Sequence, residues 1–326
     1  MITRRSLCRA ALAAGPFTAL PRAAFATAYP GHQIRMVVGF PAGQSTDTSA
    51  RRIAQSMSET LGQSVFVDNR PGAAGIISHE LVRNAAADGY TLLMGSTGTL
   101  AINPTLYRKL PYDPLKDFVP VALVSASPLV LFCAADSPLS NLKDLVALTR
   151  AKPGKVSYGS SGSGTTGHIA MEMMKKEAGI EMLHVPYKGS PPMLTDVIGG
   201  QVDVAFDTAG AVLPLARSGK VKMLGIATLE RFPMAPEVPT LAEQGVPGFE
   251  AVPWAGVLAP AGTPEAVVQQ LNAAANLALK QPAVLEQFTS TGSYALGGTP
   301  EAFRSYLRKQ VALWGKAVAL SGAQID

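Results

Sequence analysis

Twice along this chain an apolar run of strand length leads through a loop of small and hydroxyl residues into a segment of helical period. "IRMVVGF" (34–40) is followed by the loop Phe40–Asp47 and then by "TDTSARRIAQSMSETLG" (46–62). That helix is expected to be capped by Ser45, Thr46 or Asp47 and to end at Gly62. "SVFVDN", "AAGIISHELVRNA" and "YTLLMGS" continue it as strand, helix and strand. The order recurs in "KVSYGSS", a Gly/Ser/Thr loop, "TTGHIAMEMMKKEAG" (165–179), "MLHVPY", "SPPMLTDVIGG" and "VDVAFDT". Such a chain is α/β, and the matched triplets predict two similar lobes, each a sheet flanked by helices.

Two apolar stretches read as crossings between those lobes. "VALVSASPLVLFCAADSP" (121–138) is long enough for two strands with a bend at Ser125–Pro128, and "FEAVPWAGVLAPAGTP" (249–264) has the same character. Lobe one is then expected over 27–125 plus 253–326 and lobe two over 126–252. A first lobe interrupted by the second implies a two-strand hinge and a cleft. The helical segments after residue 264 are expected to cover lobe one, with Phe303, Tyr306 and Trp314 in its core.

Residues 1–26 carry Arg4, Arg5, Arg9 and Arg22, an Ala/Leu/Gly-rich run and the A-x-A site Ala24-Phe25-Ala26. This is the pattern of an export signal, by the twin-arginine route or by the general secretory one. The whole chain has 28 basic and 23 acidic residues, so without that segment 28 − 4 = 24 basic residues remain and the net charge falls from +5 to +1. Its basicity therefore belongs to the signal, and no Lys/Arg stripe points to nucleic acid. Of the two cysteines Cys8 lies in the signal, leaving Cys133 without an intramolecular partner. The expected product is a soluble periplasmic monomer.

Gly162-Ser163-Gly164-Thr165-Thr166-Gly167 spells the G-x-G-x-x-G of a dinucleotide site. The fingerprint also needs an acid at the exit of the next strand, where this chain has Tyr187-Lys188. A phosphate-binding P-loop needs Lys and Ser/Thr where His168 and Ile169 stand, and no G-x-S-x-G elbow fits these serines. What remains is a loop feeding a helix N-terminus, which offers unpaired N–H groups and a positive dipole end. Ser160, Ser161, Thr165 and Thr166 add hydroxyls, and "FPAGQSTD" (40–47) occupies the corresponding place in lobe one. Two such loops suit a small carboxylate; read singly, each is a Ser/Thr helix cap.

"VVGFPAGQSTDTSARRIA", "VDNRPGAAG", "DGYTLL", "VSYGSSGSGTTGHIA", "HVPYKGSPPMLTDVIGGQVDVAFD" and "PEVPTLAEQGVPGFE" together resemble the Bug family, the periplasmic receptors of tripartite tricarboxylate transporters. The resemblance runs from about Ala28 to the C-terminus. It implies a two-lobed type II periplasmic-binding fold that closes on an organic acid. It further implies that Phe40–Asp47 and Ser160–Thr166 form two pincers holding one carboxylate through backbone groups and ordered waters. Where the family usually has two glycines this chain has Gly43-Gln44, which brings a side-chain amide to the first pincer.

The ligand-binding residues expected on these grounds are Phe40, Ala42, Gly43, Gln44, Ser45, Asp47, Ser96, Thr97, Ser160, Ser161, Gly162, Gly164, Thr165, Thr166, Tyr187 and Asp207. Asp207 stands at the carboxyl end of a strand, where open α/β sheets place ligands, or else caps the helix after it. His168, His79 and His184 have no metal-ligand spacing, and His168 reads as capping or solvent-exposed. Lys188 reads as solvated; Arg51 and Arg52 read as surface residues or packing struts. No cofactor or metal is called for. The function expected is capture of a mono- or dicarboxylate and its delivery to a membrane permease. A hydrolase using Ser161 or Ser163, or a sensor for a signalling partner, are the alternatives.

Overall fold

The computed structural model describes residues 29–324, so the export signal read at 1–26 lies outside the described residues. The first passage of chain contains β1 (Ile34–Val38), α1 (Ser45–Leu61), β2 (Val65–Asn69), α2 (Ile76–Arg83), β3 (Thr91–Ser96), α3 (Asn103–Leu106) and β4 (Phe118–Ala126). The second contains β5 (Leu129–Ala134), α4 (Leu142–Ala151), β6 (Ser157–Ser160), α5 (Thr166–Ala178), β7 (Leu183–Pro186), α6 (Ser190–Ile198), β8 (Val204–Thr208), α7 (Ala209–Arg217) and β9 (Val221–Ile226). The third returns as β10 (Trp254–Pro260), α8 (Glu265–Lys280), α9 (Pro282–Ser290), β11 (Tyr294–Ala295) and α10 (Pro300–Ser321).

Two sheets result, in the orders β11-β4-β10-β3-β1-β2 and β7-β6-β8-β5-β9. Their plans correspond. β1 lies parallel between β2 and β3, as β6 lies parallel between β7 and β8. The strand that has just crossed from the other sheet, β10 or β5, then pairs antiparallel with β3 or β8. The repeated strand-loop-helix triplets of the sequence are thus the parallel centres of two equivalent sheets. β9, α4 and α9 were not expected from the sequence.

The crossings run side by side. Ser127 N–H donates to the Pro253 carbonyl at 2.9 Å and Leu129 N–H to the Ala251 carbonyl at 3.1 Å. Pro128 supplies the bend between β4 and β5, because it lacks the N–H that would continue the ladder. Separate apolar clusters fill the outer faces. One lies under α1 and α8, with Ile53, Met57, Leu271 and Phe288; the other lies under α6 and α7, with Met193, Val197 and Val212. A third cluster is continuous through both halves, from Leu93 and Leu100 to Tyr158, Ile169 and Trp314.

Phe303 and Trp314 are buried, as expected, and Tyr306 is half-buried. Their helix, α10, packs against β4 and α3 but also against α5 of the second half. It bridges the halves and does not cover lobe one alone, because its apolar residues extend around more than one face. Gly256 in β10 makes room for it. A Cβ there would fall against the Phe303 ring and 3.1 Å from the Ala122 carbonyl oxygen. Gly256→Ala is therefore expected to lower unfolding stability by about 1–3 kcal/mol through overpacking, measured by urea denaturation.

Candidate functional site

β1 delivers the first loop. Gly43 turns it with φ 87°, and Gln44 is the N-cap of α1, with an extended backbone and no side-chain cap bond. The first helical bond runs from Thr48 N–H to the Gln44 carbonyl at 2.8 Å. The N–H groups of Ser45, Thr46 and Asp47 are thereby left at the helix end with no intrahelical acceptor. The expected capping by Ser45, Thr46 or Asp47 does not occur, since the helix begins at Ser45 and all three are inside it. Ala42, Gly43, Gln44 and Ser45 are exposed, Phe40 half-buried.

Asp47 has a different task. Its Oδ2 accepts from Gly43 N–H at 2.8 Å and from Arg51 Nε at 3.0 Å, and its Oδ1 accepts from Asn69 Nδ2 at 2.8 Å. Burial pushes its pKa up, but the bonds from Arg51, Gly43 and Asn69 outweigh this and hold it below the ordinary carboxylate value. With its side chain enclosed, Asp47 shapes the loop and does not present a carboxylate to solvent. Arg51 is its counter-ion, while Arg52 is a packing strut lying over the Phe288 ring and donating to Thr291.

β6 delivers the second loop in the same way. Gly164 has φ 78°, Thr165 is the N-cap without a side-chain cap bond, and Ile169 N–H donates to the Thr165 carbonyl at 3.0 Å. The Thr165 hydroxyl instead donates back to the Gly162 carbonyl at 2.7 Å. Thr166, Gly167 and His168 thus occupy the first helical positions, with N–H groups that lack intrahelical acceptors. Gly189 N–H holds the Ser161 carbonyl at 3.1 Å and Tyr187 N–H holds that of Ser160 at 2.9 Å, so the β7–α6 connection buttresses the loop.

Behind this loop stands a group of rings that the sequence did not bring together. His168 stacks on His184 at 4.1 Å, and His184 on Tyr158 at 4.8 Å. His168 Nδ1 accepts from Gly164 N–H at 3.1 Å, which fits the capping reading of this residue and not the solvent-exposed one. His184 Nε2 meets the Ser160 hydroxyl at 2.7 Å. Tyr158 donates to Glu172, which also holds Lys175. Burial, reinforced by His184, lowers the His168 pKa to about 4, and burial also lowers that of His184. His79 lies elsewhere, stacked on Tyr112 with Nδ1 2.9 Å from the Gly75 carbonyl, and burial lowers its pKa to about 4. Among the described residues no three His, Cys, Asp or Glu side chains gather to hold a metal.

The remaining expected residues divide. The Thr97 hydroxyl accepts from Trp254 N–H at 2.7 Å and turns its proton to the Trp254 carbonyl, so it ties the turn after β3 to β10. Ser96 is occupied with Thr99. The Tyr187 hydroxyl donates to Asp196 at 2.7 Å within its own half. Ser160 is fully buried and its hydroxyl is taken by His184 and the Gly162 amide. The Ser160–His184 pair has the spacing of a nucleophile and base, but a nucleophile with no exposed surface meets no substrate. Ser161, Gly162, Gly164, Thr165 and Thr166 keep part of their surface, and Lys188 is exposed.

Asp207 is the exception. Its Oδ1 accepts from Thr208 N–H at 2.7 Å, while Oδ2 is buried with no partner. Burial pushes its carboxyl above the ordinary range, against hydrogen bonds from Ser190 and Thr208. It does not cap α7, whose N-cap is Thr208. The end of α7 is covered by the Thr291–Gly292 turn.

The sequence matches, over residues 49–322, the family described as tripartite tricarboxylate transporter family receptor. It is 38% identical over 301 residues to BugT of Bordetella pertussis, covering 92% of each chain. Among solved structures, an R. palustris protein with adipate is similar at 37% identity and TM-score 0.83, covering 91% of this chain and all of that one. MatC of Rhodopseudomonas palustris with bound malate is similar at 34% identity and TM-score 0.79, covering 89% and 100%.

The buried imidazoles make stability depend on pH. His79 and His168 have folded pKa values of about 4 against an ordinary 6.5, so the unfolded chain binds more protons between those limits. Their contribution is complete above 6.5 and is lost as pH falls towards 4. Unfolding free energy from urea denaturation is expected to be flat near pH 7 and to fall below about pH 6, on the order of 5 kcal/mol for the two imidazoles together by pH 4.5. The slope is expected to be smaller in His168→Asn.

Proposed function

The chain belongs to the tripartite tricarboxylate transporter receptor family, and on that premise we propose that it captures a small mono- or dicarboxylate between two lobes for a membrane permease. The lobes comprise residues 27–125 plus 253–326 and residues 126–252. The observation that carries the reading is the pair of loops at the ends of β1 and β6, each opening a helix whose first N–H groups meet no side-chain cap. A carboxylate satisfies such groups and is favoured by the dipole behind them. The solved relatives with adipate and malate agree with a ligand of this class.

In this reading the ligand meets the backbone of Ala42–Ser45 and Ser161–Thr166, with the Gln44 amide, the Ser161 hydroxyl and Asp207 setting preference. Asp47, Thr97, Ser160 and Tyr187 shape the site. Contacts from both lobes stabilise the closed form, which a permease distinguishes from the open one. The protein works as a periplasmic monomer, exported by the twin-arginine or the general secretory route, and performs no catalysis.

Adipate or malate is expected to raise the melting temperature, because only the folded form binds. At 100 times Kd the gain is about 2.7 kcal/mol. A screen in which no carboxylate shifts the transition while a nucleotide does would reinstate the dinucleotide reading.

Asp207 discriminates among acids. If Asp207 faces the cleft as an ionised acid, against the burial that raises its pKa, it repels a second ligand carboxylate and attracts an ammonium group. Asp207→Asn is expected to spare or tighten dicarboxylate binding and to weaken that of an amino acid. Unchanged affinity for both classes, measured by calorimetry, would remove Asp207 from the site.

A further inference from the structure

The two loops are one device built from unlike residues. In each, a glycine of positive φ precedes an extended N-cap residue, and the side chain four places after the glycine accepts that glycine's N–H. In the first loop these are Gly43 at φ 87°, Gln44 at −74°, 161°, and Asp47 at 2.8 Å. In the second they are Gly164 at φ 78°, Thr165 at −70°, 161°, and His168 at 3.1 Å. Both acceptors stand at the third helical position. Each holds its glycine in the left-handed region and takes up the one loop N–H that precedes the cap, leaving the helix-end amides for a ligand.

The acceptors differ in charge. Asp47 is negative but faces Arg51 at 3.0 Å. His168 accepts through Nδ1, so that nitrogen carries a lone pair and the ring is neutral. The ring is supported by His184, which touches the start of the same loop through Ser160. Each loop therefore obtains its acceptor without leaving an uncompensated negative charge beside the helix end.

We infer that His168 is the positioning residue of the second loop, equivalent to Asp47 in the first, and that His184 holds it in place. The neutral acceptor is the form compatible with an anion bound over this helix end. The inference rests on the reading of the helix ends as the site of the acid.

The test uses the full chain without its signal. His168→Asn keeps an acceptor where Nδ1 stands. His168→Phe keeps the ring and its stacking but has no acceptor, and His168→Asp keeps an acceptor but adds charge. Calorimetry with adipate and malate is expected to show the Asn variant within about threefold of the parent and the Phe and Asp variants weakened about five- to tenfold or more. In the ligand-free protein, the Gly164 amide proton resonance is expected to move in the Phe variant and to be restored in the Asn variant. Equal affinities for Asn and Phe, or a Gly164 resonance indifferent to both, would overturn the inference. A parent that binds neither acid while the Gly164 resonance responds as expected would remove the acid reading and leave the loop-setting role standing.

Discussion

The hydrogen bonds from Ser127 to Pro253 and from Leu129 to Ala251 make the two passages between the sheets run as a pair. Much of the geometry follows from that pairing. The strand entering each sheet must lie antiparallel to its neighbour, which places β10 beside β3 and β5 beside β8. The parallel strands β1 and β6 then occupy equivalent positions, and the loops at their carboxyl ends become counterparts. A backbone pair of this kind restrains separation of the halves, and it is the hinge that the proposed closure requires.

The helix starts at the two loops show how binding and stability trade against each other. A side-chain cap at Gln44 or Thr165 would contribute about 0.5–2 kcal/mol by satisfying helix-end N–H groups, but in the proposed reading it would occupy the groups that the ligand carboxylate meets. Neither residue caps. Order is recovered from the third helical position, where Asp47 and His168 bond backwards to a glycine and so fix the loop without covering the helix end. α4 and α10 carry side-chain caps from Asn141 and Thr299, while α2, α6, α7, α8 and α9 also lack one, so it is the backward bond to a glycine that sets the two loops apart.

The parallel centres of both sheets were legible because strands such as β1, β3 and β8 are largely apolar runs and their helices have one apolar stripe, the order then placing the more polar β6. β9 was not, since "VKMLGI" follows a Lys-containing turn and owes its strand conformation to pairing with β5. The loops were legible as small polar residues before a helix. Which residue caps was not, because Ser45, Thr46 and Asp47 are all good caps by type, yet the turn at Gly43 places the N-cap before all three, at Gln44. Thr97 and Ser160 looked like free hydroxyls; their partners Trp254 and His184 come from distant strands. The rings of Tyr158, His168 and His184 meet only once β6, α5 and β7 are packed, so no spacing in the chain announces them.

The bridging helix α10 limits how the halves can part. It packs on β4 and α3 from one half and on α5 from the other, within an apolar cluster that includes Leu106, Ile169, Met171, Phe303 and Trp314. Gly164 comes so close to Leu106 that a side chain at Gly164 would strike it. The second loop is thus in contact with the first half at the residue whose N–H is held by His168. Separating the halves exposes apolar surface there, at about 25 cal/mol per Å², so an unliganded open form needs compensation from solvation of the helix ends. In the reading proposed above, a carboxylate held by the same amides removes that compensation. Apolar contact at Leu106 and, in that reading, polar contact at the helix starts therefore act in one direction, both favouring the halves together.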